Sequence, residues 1–142
     1  MYGDLLDFIA GPESGGRYDI AYGGTTAPLE DLTLAELYDW QRKHAQRTGS
    51  SAVGKYQFLE STLAGLAEEA GIDPATTKLT PDLQDQFAVQ LLRRRGLNDY
   101  LAGRITREQF AANLAKEWAG LPASEHGRSH YAGDKMGNAA GV

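Results

Sequence analysis

The stretch IAGPESGGRYDIAYGG, residues 9–24, ends a short apolar helical pattern with paired glycines and places a glutamate at the break. Residues 4–12 are predicted to form a first helix, and Glu13 follows directly after it. A carboxylate near a helix C-terminus meets the negative end of the helix dipole, which disfavours its ionisation. Burial would disfavour the charged form further. Glu13 is therefore a candidate general acid, and the competing interpretation is an ordinary glutamate at a helix end.

The length and cysteine content limit the architecture. The chain has 142 residues, which predicts one domain over residues 1–142 with a core of its own. It contains no cysteine, so disulfides and cysteine-based metal sites or nucleophiles are excluded. Residues 124–142 are rich in glycine and poor in apolar residues, which predicts a partly irregular tail where the domain could be joined to a larger protein.

The charge and the N-terminal sequence limit the partners. The formal net charge is −5, and neutralising phosphates needs a basic face, so nucleic acid is not an expected partner. The start MYGDLLDFIAG has no positive segment ahead of its short apolar patch, so no signal peptide is predicted. No apolar run approaches the length of a membrane span, so membrane insertion is not expected.

Most of the chain has helical patterns separated by glycine-rich breaks. Three helix starts carry threonine caps followed by a glutamate, a proline or a glutamine: Thr33 with Glu36, Thr80 with Pro81, and Thr106 with Gln109. Residues 59–70 are predicted to form another helix that stops at Gly71. Residues 17–24 and 48–58 are β-prone and glycine-rich. The sequence therefore predicts an α+β domain that is mostly α.

The candidate ligands of a metal or cofactor do not form a recognisable pattern. His44, His126 and His130 lack metal-ligand spacing, and no phosphate-binding loop is present, so neither a metal nor a cofactor is expected. Four tyrosines lie in polar, glycine-rich stretches outside helical apolar faces, where ring and hydroxyl suit a sugar-binding surface: Tyr18, Tyr22, Tyr56 and Tyr131.

Four short motifs occur in a suggestive order: ESGG (13–16), YDIAYGG (18–24), SAVGKYQF (51–58) and EWAGLP (117–122). In this order they resemble the lambda-type phage endolysin family, which comprises muramidases and lytic transglycosylases of the lysozyme superfamily. The resemblance spans residues 5–133. It implies a lysozyme-like domain with a helical lobe, a small β-containing lobe and a cleft between them. It also implies cleavage of peptidoglycan between N-acetylmuramic acid and N-acetylglucosamine.

The resemblance also implies roles for individual residues. The catalytic glutamate of the family corresponds to Glu13. Residues that would line the cleft are Tyr18, Asp19, Gly23 and Gly24, and those on the β side opposite the acid are Gly54, Tyr56 and Gln57. The last motif places Trp118, Ala119, Leu121 and Pro122 in packing positions.

The chemistry leaves three alternatives. Glycosidases usually use two carboxylates, and Asp19 is the nearest second candidate, although aspartate is also common at turns. If Glu13 works alone, it acts first as acid and then as base for the C6 hydroxyl of the sugar, which yields a 1,6-anhydro product. A lytic transglycosylase is the leading hypothesis. A hydrolytic muramidase using Asp19, and a non-catalytic wall-binding or virion assembly module, are the alternatives.

The expected partners are the glycan strands of peptidoglycan. A protein with a net charge of −5 gains no electrostatic attraction to an anionic wall. This fits a chain that is part of a virion or of a larger multidomain protein. It would act on the cell wall, in the periplasm, after delivery by phage lysis, a virion or another export machinery.

Overall fold

The computed structural model describes residues 6–7, 9–11 and 14–118. The chain divides into two compact units, one of Ser14–Phe87 and one that combines Met1–Glu13 with Ala88–Val142. The elements with assigned bounds are α1 (Leu34–Thr48), α2 (Glu60–Glu69), α3 (Pro81–Arg94), α4 (Leu97–Leu101) and α5 (Arg107–Ala115). In this described part, no helix is long and apolar enough to cross a membrane.

Helix α1 begins where the sequence predicts, because Thr33 and Glu36 form a capping box. The Thr33 hydroxyl accepts from the Glu36 N–H at 3.3 Å, and the Glu36 carboxylate accepts from the Thr33 N–H at 2.9 Å. The helix ends at Thr48 and is capped by Gly49, which has a left-handed φ of 96°. Its buried face follows helical spacing and consists of Leu34, Leu37, Gln41 and His44.

The other predicted helix starts are confirmed. The Thr80 hydroxyl accepts from the Leu83 N–H at 3.1 Å, and α3 begins at the next residue after Thr80. Thr106 and Gln109 form the second capping box at the start of α5. The prediction for α2 was one residue too long at each end. Leu59, predicted inside the helix, precedes it and is 47% exposed.

The β component consists of isolated antiparallel bridges within the described residues. The bridged pairs are Ile20 with Thr26, Ala21 with Val53, Val53 with Phe58, and Thr33 with Lys78. Gly23 and Gly24 have φ values of 90° and 85°, so the chain can turn between Ile20 and Thr26. The predicted β-prone segments 17–24 and 48–58 are therefore paired, but through single bridges and not through regular strands.

The second unit contains α4 and α5. The sequence did not predict α4, a five-residue helix that follows Gly96. Tyr100 of α4 stacks on Phe110 of α5, with ring centroids 4.9 Å apart. The Arg95 Nε atom donates to Glu117 Oε2 at 2.7 Å, and the Glu117 side chain is only 11% exposed. Residues 6–7 and 9–11 are helical, as predicted for the first helix.

Candidate functional site

Two tyrosines that the sequence assigned to substrate binding share one carboxylate. The Tyr56 hydroxyl donates to Asp85 Oδ1 at 2.6 Å, and the Tyr18 hydroxyl lies 3.0 Å from both Asp85 oxygens. The Lys55 ammonium lies 4.8 Å from the Tyr18 ring centroid and 5.6 Å from that of Tyr56. We call Tyr18, Lys55, Tyr56 and Asp85 the tyrosine–aspartate cluster. Its bonds to a carboxylate are of the stronger, charge-assisted kind.

Gln84 ties the backbone segments of this cluster together. Its Nε2 donates to the Tyr18 carbonyl at 3.1 Å, and its Oε1 accepts from the Lys55 N–H at 2.9 Å. The side chain is fully buried, so both bonds are shielded from water. Gln84 and Asp85 are neighbours on α3. Helix α3 therefore holds the main chain of Tyr18 and Lys55 through Gln84. It holds the hydroxyls of the two tyrosines through Asp85.

A tight turn carries the second predicted group of site residues. Gly54 has a φ of 86° and Gln57 a φ of 53°, which is unusual for a residue with a side chain. The Gln57 N–H bonds the Gly54 carbonyl at 3.1 Å, and its Nε2 donates to Gly54 O at 2.9 Å and to Ile20 O at 3.2 Å. Both amide hydrogens of Gln57 are thus used within the protein, and Oε1 is the atom it could offer to a ligand.

The two aromatic candidates Tyr22 and Tyr56 have opposite environments. Tyr56 is 0% exposed, so its ring offers no face to a saccharide, and the expected stacking is not available in this structure. Tyr22 is 47% exposed. Its main chain is held by two bonds, from His44 Nε2 to the Tyr22 carbonyl at 2.7 Å and from the Tyr22 N–H to Ala52 O at 2.9 Å. Tyr22 therefore combines an exposed ring with a fixed backbone.

Asp19 lies at the surface and is paired. Its Oδ1 accepts from Arg17 Nε at 3.2 Å and lies 3.1 Å from Arg17 Nη2, with both side chains about half exposed. Tyr18 and Asp19 also line a pocket of about 260 Å³. The same pocket is lined by Leu29, Leu79, Pro81 and Gln84. Its size is close to the lower end of small-molecule sites.

The environment of the Tyr18 hydroxyl favours its protonated form. Burial raises the pKa of Tyr18 above its ordinary value of 10.0, and the hydrogen bond to Asp85 raises it further. The Lys55 ammonium lowers the pKa by a smaller amount. Tyr18 therefore keeps its proton at neutral pH and can donate a hydrogen bond to Asp85.

Some predicted residues lie outside the described part of the chain: Glu13, Tyr131, Ala119, Leu121 and Pro122. Trp118 is described and is 2% exposed, in agreement with the packing role implied for it. Across residues 6–7, 9–11 and 14–118, His, Asp and Glu side chains do not gather in groups of three that could hold a metal ion.

Sequence reasoning missed Lys55, Gln84 and Asp85. Gln84 did carry a signal, because it shares helical spacing with the buried Phe87, Ala88 and Leu91. A glutamine in such a position indicates a buried side chain with internal hydrogen-bond partners. Asp85 carried no comparable signal, since its two partners lie 67 and 29 positions away along the chain.

Comparisons with known proteins agree with this architecture. The model of the Endolysin family matches residues 6–139. The endolysin of Escherichia phage P2 is 33% identical over 88 residues, which is 61% of this chain and 50% of that protein. The chain thus matches about half the length of that relative.

A solved structure has the same fold. The lysozyme from bacteriophage lambda superposes with a TM-score of 0.63 over 98% of this chain and 90% of that one, at 19% identity. This similarity confirms the expected lysozyme-like, mostly helical fold. Because the family match extends over nearly the whole chain, the protein belongs to the endolysin family.

Proposed function

We propose that this protein cleaves the β-1,4 bond between N-acetylmuramic acid and N-acetylglucosamine in peptidoglycan. It acts as a lytic transglycosylase that forms a 1,6-anhydro product, and Glu13 serves first as general acid and then as base. The observation that carries the proposal is the endolysin family match, which includes Glu13 within residues 6–139. The lysozyme-like fold supports the same class of substrate.

The reaction needs one group that can both give and take a proton. Glu13 transfers its proton to the glycosidic oxygen, and the bond from C1 to that oxygen breaks with oxocarbenium character. The C6 hydroxyl oxygen of the muramic acid then attacks C1, and its proton passes to the Glu13 carboxylate. The acid is regenerated and no water is consumed.

The position of Asp19 favours this route over hydrolysis. In a hydrolytic muramidase the second carboxylate attacks C1 itself or accepts a hydrogen bond from the attacking water. Asp19 Oδ1 already accepts a hydrogen bond from Arg17 at 3.2 Å, so either role would have to use the remaining acceptor positions of the carboxylate. Hydrolysis with Asp19 as second carboxylate remains the alternative.

The described residues also support saccharide binding. Tyr22 offers an exposed ring next to a glycine pair, and sugar rings stack on such aromatic faces. Tyr18 and Asp19 border a pocket that could take part of a ligand. Gln57 and Tyr131 remain proposed substrate contacts, and for Gly54 and Tyr56 their burial favours a supporting role over direct contact.

The test is digestion of purified peptidoglycan followed by mass spectrometry of the released muropeptides. A transglycosylase gives products that end in anhydro-muramic acid and are one water molecule lighter than the products of a muramidase. The Glu13→Gln variant keeps the shape of the side chain but cannot donate the proton, so it should release nothing. Reducing ends with added water would establish the muramidase, and lysis by Glu13→Gln would eliminate the mechanism.

A non-catalytic module is the remaining alternative. It would bind glycan strands without releasing muropeptides, and the wild-type digestion distinguishes it directly. In either case the cell wall is the proposed place of action, reached by phage lysis, within a virion or through another export machinery.

A further inference from the structure

Asp85 accepts hydrogen bonds from two tyrosines that are distant from it in sequence. One of its oxygens, Oδ1, lies 2.6 Å from the Tyr56 hydroxyl and 3.0 Å from the Tyr18 hydroxyl. Tyr56 is fully buried, whereas Tyr18 is half-buried. Of the two tyrosines on this carboxylate, Tyr18 is therefore the one placed to meet a ligand.

The hydrogen bonds within the cluster decide whether the Tyr18 hydroxyl can donate to a ligand or accept from it. A phenol has one hydrogen to donate, and a carboxylate can only accept, so the Tyr18 hydrogen is directed at Asp85. Lys55 Nζ donates towards the same hydroxyl oxygen at 3.4 Å and cannot take that hydrogen. The hydroxyl oxygen has two lone pairs, and Lys55 uses one of them. A ligand arriving at Tyr18 therefore meets an oxygen with one lone pair left to accept a hydrogen bond and no hydrogen to give.

The orientation of Tyr18 is set before any ligand arrives. Its carbonyl accepts from the buried Gln84 amide at 3.1 Å, and the Lys55 ammonium lies 4.8 Å from its ring centroid. The Lys55 cation and the Asp85 carboxylate restrain the hydroxyl end of the side chain, and Gln84 restrains its main chain. A contact that is already ordered loses little conformational entropy when a ligand binds.

We propose that Asp85 is a positioning residue for saccharide binding. By holding the Tyr18 hydrogen, Asp85 makes the Tyr18 hydroxyl oxygen an obligatory hydrogen-bond acceptor. This oxygen selects a hydroxyl or an amide N–H of the glycan strand. The inference rests on the proposed function, because it takes the glycan strand as the ligand. Ligand groups that can only accept, such as ether and carbonyl oxygens, would face an oxygen without a hydrogen and be rejected.

Asp85→Asn and Tyr18→Phe test the two ends of the contact. The asparagine amide can donate, so it releases the Tyr18 hydrogen and removes the enforced polarity with little change of shape. Phenylalanine keeps the ring of Tyr18 and removes the oxygen. Asp82→Asn is the matched control, because Asp82 lies on the same helix, is exposed and loses the same charge.

The readouts are calorimetric binding of triacetylchitotriose, a β-1,4-linked N-acetylglucosamine trimer, and KM and kcat on peptidoglycan. Each single variant should weaken binding and raise KM by about tenfold, the effect of one hydrogen bond, with kcat nearly unchanged. The double variant should be no weaker than Tyr18→Phe alone, because Asp85 acts through that hydroxyl. Asp82→Asn should bind like the wild type.

Several outcomes overturn the inference. Wild-type affinity in Tyr18→Phe, which tests the contact even if Asp85→Asn fails to fold, excludes Tyr18 as an acceptor for the saccharide. Additive losses in the double variant show that Asp85 does not act through Tyr18. A wild-type protein that binds the trimer with the expected variant pattern but releases no muropeptides refutes the proposed cleavage and leaves the inference standing. A wild-type protein that neither binds nor cleaves refutes both.

Discussion

Gln84 packs so closely over Gly54 that position 54 has no room for a side chain. A Cβ atom built on Gly54 would collide with Gln84 Oε1 and lie 3.1 Å from Gln84 Cδ. Gly54 also has a φ of 86°, which residues with a Cβ atom rarely adopt. The glycine of the GKYQ segment is therefore required by both backbone conformation and packing.

Gly54→Ala should lower the free energy of unfolding by about 3 kcal/mol, from left-handed strain and overpacking together. Gly49→Ala is the matched control, because Gly49 has a φ of 96° with no atom within 4 Å of a Cβ there. It should cost only the strain, about 1–2 kcal/mol. Urea denaturation measures both, and equal losses would exclude the collision with Gln84.

Gln84→Ala should destabilise the protein by about 2–3 kcal/mol, because it leaves the Tyr18 carbonyl and the Lys55 N–H without their bonds. Gln86→Ala, on the exposed side of the same helix, should change stability by less than about 0.5 kcal/mol. In the Gln84→Ala background, Gly54→Ala should cost less than it does alone, since the colliding atom is gone. Thermal and urea unfolding of the four variants measures these losses. If the losses of Gly54→Ala and Gln84→Ala were additive in the double variant, the contact between the two positions would be contradicted.

Gln57→Ala should be less stable than Gln57→Gly, although both lose the same two side-chain hydrogen bonds. The φ of 53° is accessible to glycine and strained for alanine, and the difference should be about 1 kcal/mol. If Gln57 also contacts the substrate, both variants should lose activity to the same extent. Denaturation and peptidoglycan digestion test the two statements separately, and equal stability would show that the turn relaxes.

Deleting a buried tyrosine hydroxyl should have opposite effects at positions 38 and 56. The Tyr38 hydroxyl is buried without a hydrogen-bond partner among the described residues, so Tyr38→Phe should stabilise the protein by about 1 kcal/mol. Tyr56→Phe removes a 2.6 Å bond to Asp85 and should destabilise it by about 2 kcal/mol. Melting temperatures that shift in the same direction for both variants would contradict this assignment.

Stability should fall in alkaline solution. Burial raises the pKa of Tyr18 and of Tyr38 above 10.0, and the neighbouring Asp85 and Glu60, respectively, raise them further. A group with a raised pKa in the folded state stabilises the protein fully below its unfolded pKa, and this contribution is lost as pH rises through the folded pKa. The free energy of unfolding should therefore decrease above about pH 10, and less steeply in Tyr38→Phe. Urea denaturation at a series of pH values measures the slope, and identical slopes would exclude Tyr38 as a contributor.

The helices could be predicted because their signals are local. The capping boxes Thr33–Glu36 and Thr106–Gln109 span three residues each, so the hydrogen bonds form between groups that sequence spacing alone brings together. Helix α4 escaped prediction, since five residues are too few for a helical pattern to stand out. Leu59 was misplaced because apolar character does not reveal that a residue precedes the helix and is exposed.

The site could be predicted as a set of segments but not as a set of contacts. The motifs named Tyr18 and Tyr56, yet composition could not distinguish a half-buried ring at a pocket from one that is fully buried. The role of Asp85 could not be predicted, because its hydrogen bond to Tyr18 connects residues 67 positions apart. Spacing along the chain predicts the hydrogen bonds that form within one helical turn. The hydrogen bonds of Asp85 and Gln84, in contrast, form only once α3 has packed against the turn at residues 54–57.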